Sequence, residues 1–204
     1  MLFDGEIIYW NKHGKGFFTR IKHYKFAASL PEIILQTMPK HLFLLRHAET
    51  AEKQSGQTDK ERELTPKGIK EAMLIGIYLQ KSNIIFDVII SSTATRTRST
   101  TQIVSDAMRA NADKIIYEEA LYEASLRTFL ELINKLGDDL NTVMFVGHNP
   151  TISYLAEFLA PTPIGDMATG GLVIIKFDVS SWGKLVKGSG ELVRYVAPPM
   201  LENN

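Results

Sequence analysis

The chain of 204 residues contains no cysteine, which excludes disulfides and suits a reducing cytoplasm. It has no excess of either charge, since 23 lysines and arginines balance 23 aspartates and glutamates. A nucleic-acid binder would show a basic footprint, so no nucleic-acid partner is expected. No apolar run reaches the ~18 residues that a membrane-spanning helix requires, and no membrane association is expected. Internal repeats and low-complexity tracts are absent. With no thiol and no repeated His/Asp spacing there is no metal-ligand pattern, and neither a metal nor another cofactor is expected. The oligomeric state is not legible.

What is present is a pair of histidines at strand ends. Leu42 to Leu45 is an apolar run that reads as a buried strand, and Arg46 and His47 follow where it stops. A second run, Val143-Met144-Phe145-Val146, ends in Gly147-His148-Asn149-Pro150. From Leu42 onward these are the only two histidines in the sequence. Chemistry in open α/β sheets gathers at the carboxyl ends of strands. A guanidinium clamps a phosphoryl group and an imidazole attacks it, so the Arg46-His47 pair points to phosphoryl transfer through a phosphohistidine. Between the two junctions, Phe86 to Ile90 is a further strand candidate, followed by the hydroxyl-rich stretch Ser91 to Thr100. That stretch supplies helix N-caps and places Arg96 near the positive end of a new helix. Arg98, two positions on, points elsewhere on a helix.

The intervening pattern alternates. Thr65 caps a helix with Pro66 at its first position, and Ile69, Ala72, Met73, Gly76 and Leu79 form its expected core face. Thr95 to Arg109 reads as a second helix, with Ile103, Val104 and Ala107 on its inner side. Ser125 to Leu136, stopped by Gly137, reads as a third, and Pro150 to Leu159 as a fourth. Gly171 to Phe177 and Glu191 to Val196 read as late strands. Strands alternating with helices imply a sheet between helical layers, and ~165 residues suffice for one core.

Leu45-Arg46-His47-Ala48-Glu49, Ser92-x-x-x-Arg96-x-x-x-Thr100 and Val146-Gly147-His148-Asn149-Pro150 together resemble the three signatures of the histidine phosphatase superfamily. Leu64-Thr65-Pro66-x-Gly68, Leu121-Tyr122-Glu123-Ala124-Ser125 and Ala168-Thr169-Gly170-Gly171 resemble its small SixA-type branch of phosphohistidine phosphatases. The similarity runs from about Pro39 to Pro199. It implies a phosphoglycerate mutase-like α/β fold: three α/β/α layers, a mostly parallel central sheet and no cap domain. It also implies His47 as nucleophile, Arg46 and Arg96 as phosphate-binding residues, and His148 completing the phosphate pocket. Thr93 stands where the family usually has proline, as does Ala168 before Thr169-Gly170; neither change removes a reactive group.

A general acid is not evident. Glu123 and Glu49 are candidates, with an exposed turn residue and a loop charge as the simpler readings. Residues 38–204 are expected to form the catalytic domain, preceded by an extension, residues 1–37, of unassigned role. That segment is rich in aromatic and basic residues and lacks the apolar core of a signal peptide; His13, His23 and His41 read as surface residues. The expected protein is a cytoplasmic, metal-independent phosphatase acting on a phosphohistidine-containing protein. The alternatives are a phosphatase of small phosphorylated substrates or a non-catalytic phosphate-binding module.

Overall fold

A computed structural model describes residues 38–202; the readings made for residues 1–37, His13 and His23 among them, lie outside the described residues. Six strands, β1 (Lys40–Arg46), β2 (Val88–Ser92), β3 (Ile115–Glu118), β4 (Thr142–Gly147), β5 (Leu172–Phe177) and β6 (Glu191–Val196), form one sheet. Four helices, α1 (Pro66–Lys81), α2 (Thr95–Met108), α3 (Leu126–Asn134) and α4 (Thr151–Leu159), cover it. The strand order is β3-β2-β4-β1-β5-β6. Pairing is parallel from β3 to β1 and antiparallel at β1–β5 and β5–β6, so β5 alone runs against the rest.

The period of two along β1 divides the core between two faces. Leu42 and Leu44 point with Val143, Phe145, Val173 and Ile175 towards Phe129 and Ile133 of α3 and Ile152, Leu155 and Leu159 of α4. Phe43 and Leu45 point with Ile89, Met144, Val146 and Ile174 towards Ala72, Ile75 and Leu79 of α1 and Val104 of α2. Both faces of the central strands are therefore apolar, which is why β1 and β4 read as continuous hydrophobic runs rather than alternating ones. The expected α/β/α layering and mostly parallel sheet are observed.

Several local expectations shift. The core face of α1 is Gly68, Glu71, Ala72, Ile75, Gly76 and Leu79, whereas Ile69 and Met73 are exposed. Close approach of the backbone sets this phase: a Cβ on Gly76 would lie 2.6 Å from Ala107 Cβ, so α1 and α2 cross where the glycine removes bulk. The strand after α1 begins at Val88 rather than Phe86 and continues through Ser91 and Ser92, both fully buried. Strand β3 was not anticipated. Its four residues are half-buried or exposed at the sheet edge, so it carries no hydrophobic periodicity. The third helix ends at Asn134, short of Leu136, and the fourth starts at Thr151 with Pro150 as its cap residue. Thr65 caps α1 as expected, and Ser125 caps α3, accepting from the amides of Gly68 and Thr128 respectively.

The hydroxyls of α2 do something other than cap it, since its cap residue is Ala94. Thr97 Oγ1 donates to the Ser92 and Ala94 carbonyls, Thr101 Oγ1 bonds Ser91 Oγ, and Thr100 Oγ1 accepts the Ala48 amide at 3.0 Å. They bind the start of α2 to β2 and to the chain leaving β1.

Candidate active site

Register brings the two histidine junctions together. Arg46 pairs with Gly147 across β1 and β4, and Val146 pairs with Ser91 on β2. One step beyond, His47 and His148 leave the sheet side by side with ring centroids 5.2 Å apart. The backbone of His47 is held on both sides: its amide donates to the Gly147 carbonyl (3.1 Å), and its carbonyl accepts the Gly170 amide (3.1 Å). Gly170 turns at φ +64°, where a glycine is favoured, and a Cβ there would press on Pro198 and Glu71. Gly147 has little room for a side chain, as a Cβ would meet the Phe129 ring at 3.0 Å.

His47 is oriented by its nearest acceptor. Nδ1 lies 2.8 Å from the Ala48 carbonyl oxygen, which only accepts. Nδ1 therefore carries the proton, and the lone pair sits on Nε2. Burial pushes the His47 pKa down to about 4, the Ala48 bond opposes this, and the charges of Arg96, Arg46 and Arg62 lower it further. At neutral pH the ring is uncharged and nucleophilic at Nε2.

His148 Nε2 lies 2.9 Å from Ser92 Oγ, and the edge of the Tyr122 ring packs against the imidazole. Burial, then the neighbouring His47 and Arg96, depress its pKa to about 3. Ser92 Oγ also receives the Ala94 amide at 3.4 Å, so the hydroxyl joins the imidazole to the start of α2. His148 Nδ1 and Arg46 Nε are both buried without a hydrogen-bond partner among the described residues. Arg46 is otherwise anchored through Nη1 to the Met167 carbonyl, and burial lowers its pKa against the opposing charges of Asp166, Tyr195 and Glu71. Buried polar atoms are rarely left unpaired, and these belong to the two residues beside His47.

Arg96, the second residue of α2, is buried. Its Nη1 and Nη2 donate to the backbone carbonyl (2.7 Å) and to Oδ2 (2.9 Å) of Asp59. Asp59 also accepts from Arg62 Nη1 at 3.1 Å, and Arg62 in turn reaches Thr50 and Ala51. Asp59 and Arg62 had no signal in the sequence, because Asp59-Lys60-Glu61-Arg62-Glu63 looks like a solvated run of alternating charge. Arg98 points away and stacks on Tyr117 of β3, 3.9 Å from the ring centre.

The two candidate acids differ. Glu49 is committed to Lys67 and to Thr65 (2.9 Å), contacts that hold its carboxyl below the usual range. It stabilises the start of α1 rather than facing the histidines. Glu123 is exposed at φ +54°, on the rim of a cavity of about 160 Å³ shared with Leu121, Phe129, His148 and Pro150. Among the described residues no cluster of three His, Cys, Asp or Glu is spaced to hold a metal ion, and no helix is long and apolar enough to cross a membrane.

The sequence profile of the histidine phosphatase superfamily (branch 1) matches residues 42–132. An uncharacterized protein of Mycobacterium tuberculosis is 36% identical over 163 residues, covering 76% of this chain and 99% of that one. A solved structure from Agrobacterium tumefaciens, described as a phosphohistidine phosphatase SixA, superposes with TM-score 0.67 at 32% identity, covering 78% and 99% of the two chains. The chain belongs to the histidine phosphatase superfamily, in its SixA-type branch. More distant is the rat serine/threonine-protein phosphatase PGAM5, 27% identical over 163 residues, of which this chain spans 52%.

Proposed function

We propose that the protein is a cytoplasmic protein phosphohistidine phosphatase that works through a phosphorylated His47. The observation that carries this reading is the His47 tautomer: Nδ1–H is spent on the Ala48 carbonyl, and a depressed pKa of about 4 keeps Nε2 unprotonated. In the first step Nε2 attacks phosphorus. The Nε2–P bond forms as the bond from phosphorus to the substrate imidazole breaks, and the departing imidazole takes its proton from solvent. In the second step water attacks the phosphoryl group, releasing inorganic phosphate and restoring neutral His47. Charge on the transferring oxygens is met by the free donors of Arg46 and Arg96, with His148 completing the pocket, preorganised groups that need no reorganisation as the reaction proceeds.

The leaving group favours a nitrogen–phosphorus bond. A substrate imidazole has a pKa near 6.5 and departs readily near neutral pH, whereas an alkoxide must be protonated in the transition state. Glu49 is engaged elsewhere. Glu123, at the mouth of the cavity beside His148, supports a second reading, phosphoester hydrolysis, which also fits the name of the PGAM5 relative. Rates on a phosphohistidine-bearing protein, aryl phosphates and alkyl phosphates discriminate between the two. Rapid quenching during turnover should trap a label on His47 that is stable in base and lost in acid. A label on another residue, or none under single-turnover conditions, would refute the mechanism. The reaction is expected to be metal-independent, so a chelator should leave the rate unchanged.

A further inference from the structure

We propose that Asp59 is a positioning residue that holds Arg96 ready for the phosphoryl group, an inference that rests on reading Arg96 as a phosphate ligand. Asp59 occupies one edge of the guanidinium with two different oxygens, its main-chain carbonyl on Nη1 and its carboxylate on Nη2. A guanidinium has five N–H groups. Two are consumed, and the Nε–H and one hydrogen on each Nη remain for an incoming anion. Arg96 is thus shared between a fixed acceptor and its ligand, rather than blocked.

The acceptor is itself anchored. Asp59 opens a single turn, Asp59–Glu61, closed by Thr58, whose amide and hydroxyl donate to Glu61 Oε2 at 2.8 and 2.7 Å. Lys60 pairs with Glu119, which also receives the Thr93 hydroxyl at the foot of α2. Arg62 takes the other carboxylate oxygen of Asp59, and the Tyr122 hydroxyl lies 3.4 Å from Oδ2. The turn is tied to both sides of the pocket, and its one carboxylate facing the site sets the direction of Arg96. An arginine without such a hold has to be ordered by every substrate that arrives.

The test compares Asp59→Ala and Asp59→Asn in the full chain, by steady-state kinetics and by calorimetric titration with inorganic phosphate. The Asp59 side chain is about half exposed, and matched thermal unfolding midpoints establish that both variants fold. Asp59→Ala should lower kcat/KM roughly 10- to 100-fold, the scale of a small misplacement of a reacting or binding group, and should weaken phosphate binding. Asp59→Asn keeps an acceptor for Nη2 and should recover most of both. In combination with Arg96→Ala, the Asp59→Ala change should add no further loss, because it acts through that side chain. Losses that multiply, or phosphate binding that tightens in Asp59→Ala, would overturn the proposal. The second result would mean that Asp59 competes with the ligand. The phosphate titration reads Arg96 whatever the substrate proves to be, so a failure of the phosphohistidine reading leaves this test intact.

Discussion

The two ends of β1 each hold a cation, buried at one end and half-buried at the other, and they treat it differently. At the amino end Lys40 is 2% exposed, and its ammonium donates to the Asp138 and Leu140 carbonyls and to Asn141 Oδ1. Three donors meet three acceptors, with the Trp182 ring 5.8 Å away. At the carboxyl end Arg46 spends Nη1 on the Met167 carbonyl and leaves Nε without a partner among the described residues. An unsatisfied buried donor costs roughly 1–3 kcal/mol. The saturated end closes the α3–β4 loop onto the sheet; the unsaturated end stores binding capacity for an anion. The proposed site thus lies at the end of the strand where a donor remains unpaired.

The largest effects should come from the unsaturated end. His47→Ala should reduce turnover by at least ~10⁴-fold, as loss of a nucleophile does, with little change in thermal stability. Arg46→Ala and Arg96→Ala should each cost on the order of 10²- to 10³-fold in kcat. Arg98→Ala, whose guanidinium lies on Tyr117, should leave steady-state rates near wild type. An equal loss at Arg98 would mean that charge in this region, rather than aimed donors, governs the rate.

Proton dependence sharpens the same contrast. His47 and His148 are held near 4 and 3, below the ordinary histidine value of about 6.5. The acid limb of kcat/KM should therefore fall about tenfold per pH unit below about 4 and stay flat from 5 to 7. For stability the sign is set by proton binding. Between about 4 and 6.5 the unfolded chain binds more protons than the native state, so stability is lost as pH falls through that window. A rate profile bending at 6.5 would show that His47 titrates as a free imidazole and is not the oriented nucleophile.

At the saturated end the effect is on folding. Lys40→Met removes the ammonium donor from the Asp138 carbonyl and Asn141 Oδ1, while the Leu140 carbonyl keeps the Trp182 indole N–H, which should cost on the order of 1–3 kcal/mol in denaturant unfolding. Below the unfolding transition kcat should stay within about twofold of wild type. A steep fall in kcat at full folding would couple the two ends and break the comparison.

The residues of the proposed site were legible in the sequence because two apolar runs stop abruptly in a histidine, and register places Arg46 opposite Gly147. The layering followed from apolar runs at β1 and β4. The Asp59–Arg96 contact was not legible, because a charged loop residue looks the same whether it faces water or a buried guanidinium. The face of α1 was misjudged for a related reason. Hydrophobicity marks Ile69 and Met73, yet the helix packs along Gly68, Ala72 and Gly76, where the absence of bulk allows Glu49 and Ala107 to approach. Lys40 carries no signal of its burial in the sequence, since nothing local announces three oxygens arriving from residues 138–141.

The smallest expected effect is at Glu123, and it decides where the reactive end stops. Its positive φ of 54° is an unfavourable backbone for a glutamate, held at the mouth of the cavity that His148 lines. Strain of that kind gathers at functional sites. If the substrate is phosphohistidine, the leaving imidazole needs little help, and Glu123→Gln should change its hydrolysis by less than about twofold. If an alkyl ester is the substrate, the carboxyl must deliver a proton, and its loss should cost on the order of 10²- to 10⁴-fold. Gln preserves size and hydrogen-bonding reach while removing the titratable carboxyl proton, so packing at the cavity mouth is unchanged. Measuring both substrate classes in wild type and variant separates the cases. Efficient alkyl ester turnover that collapses in Glu123→Gln would extend the reactive end to the cavity rim and move the protein towards ester substrates.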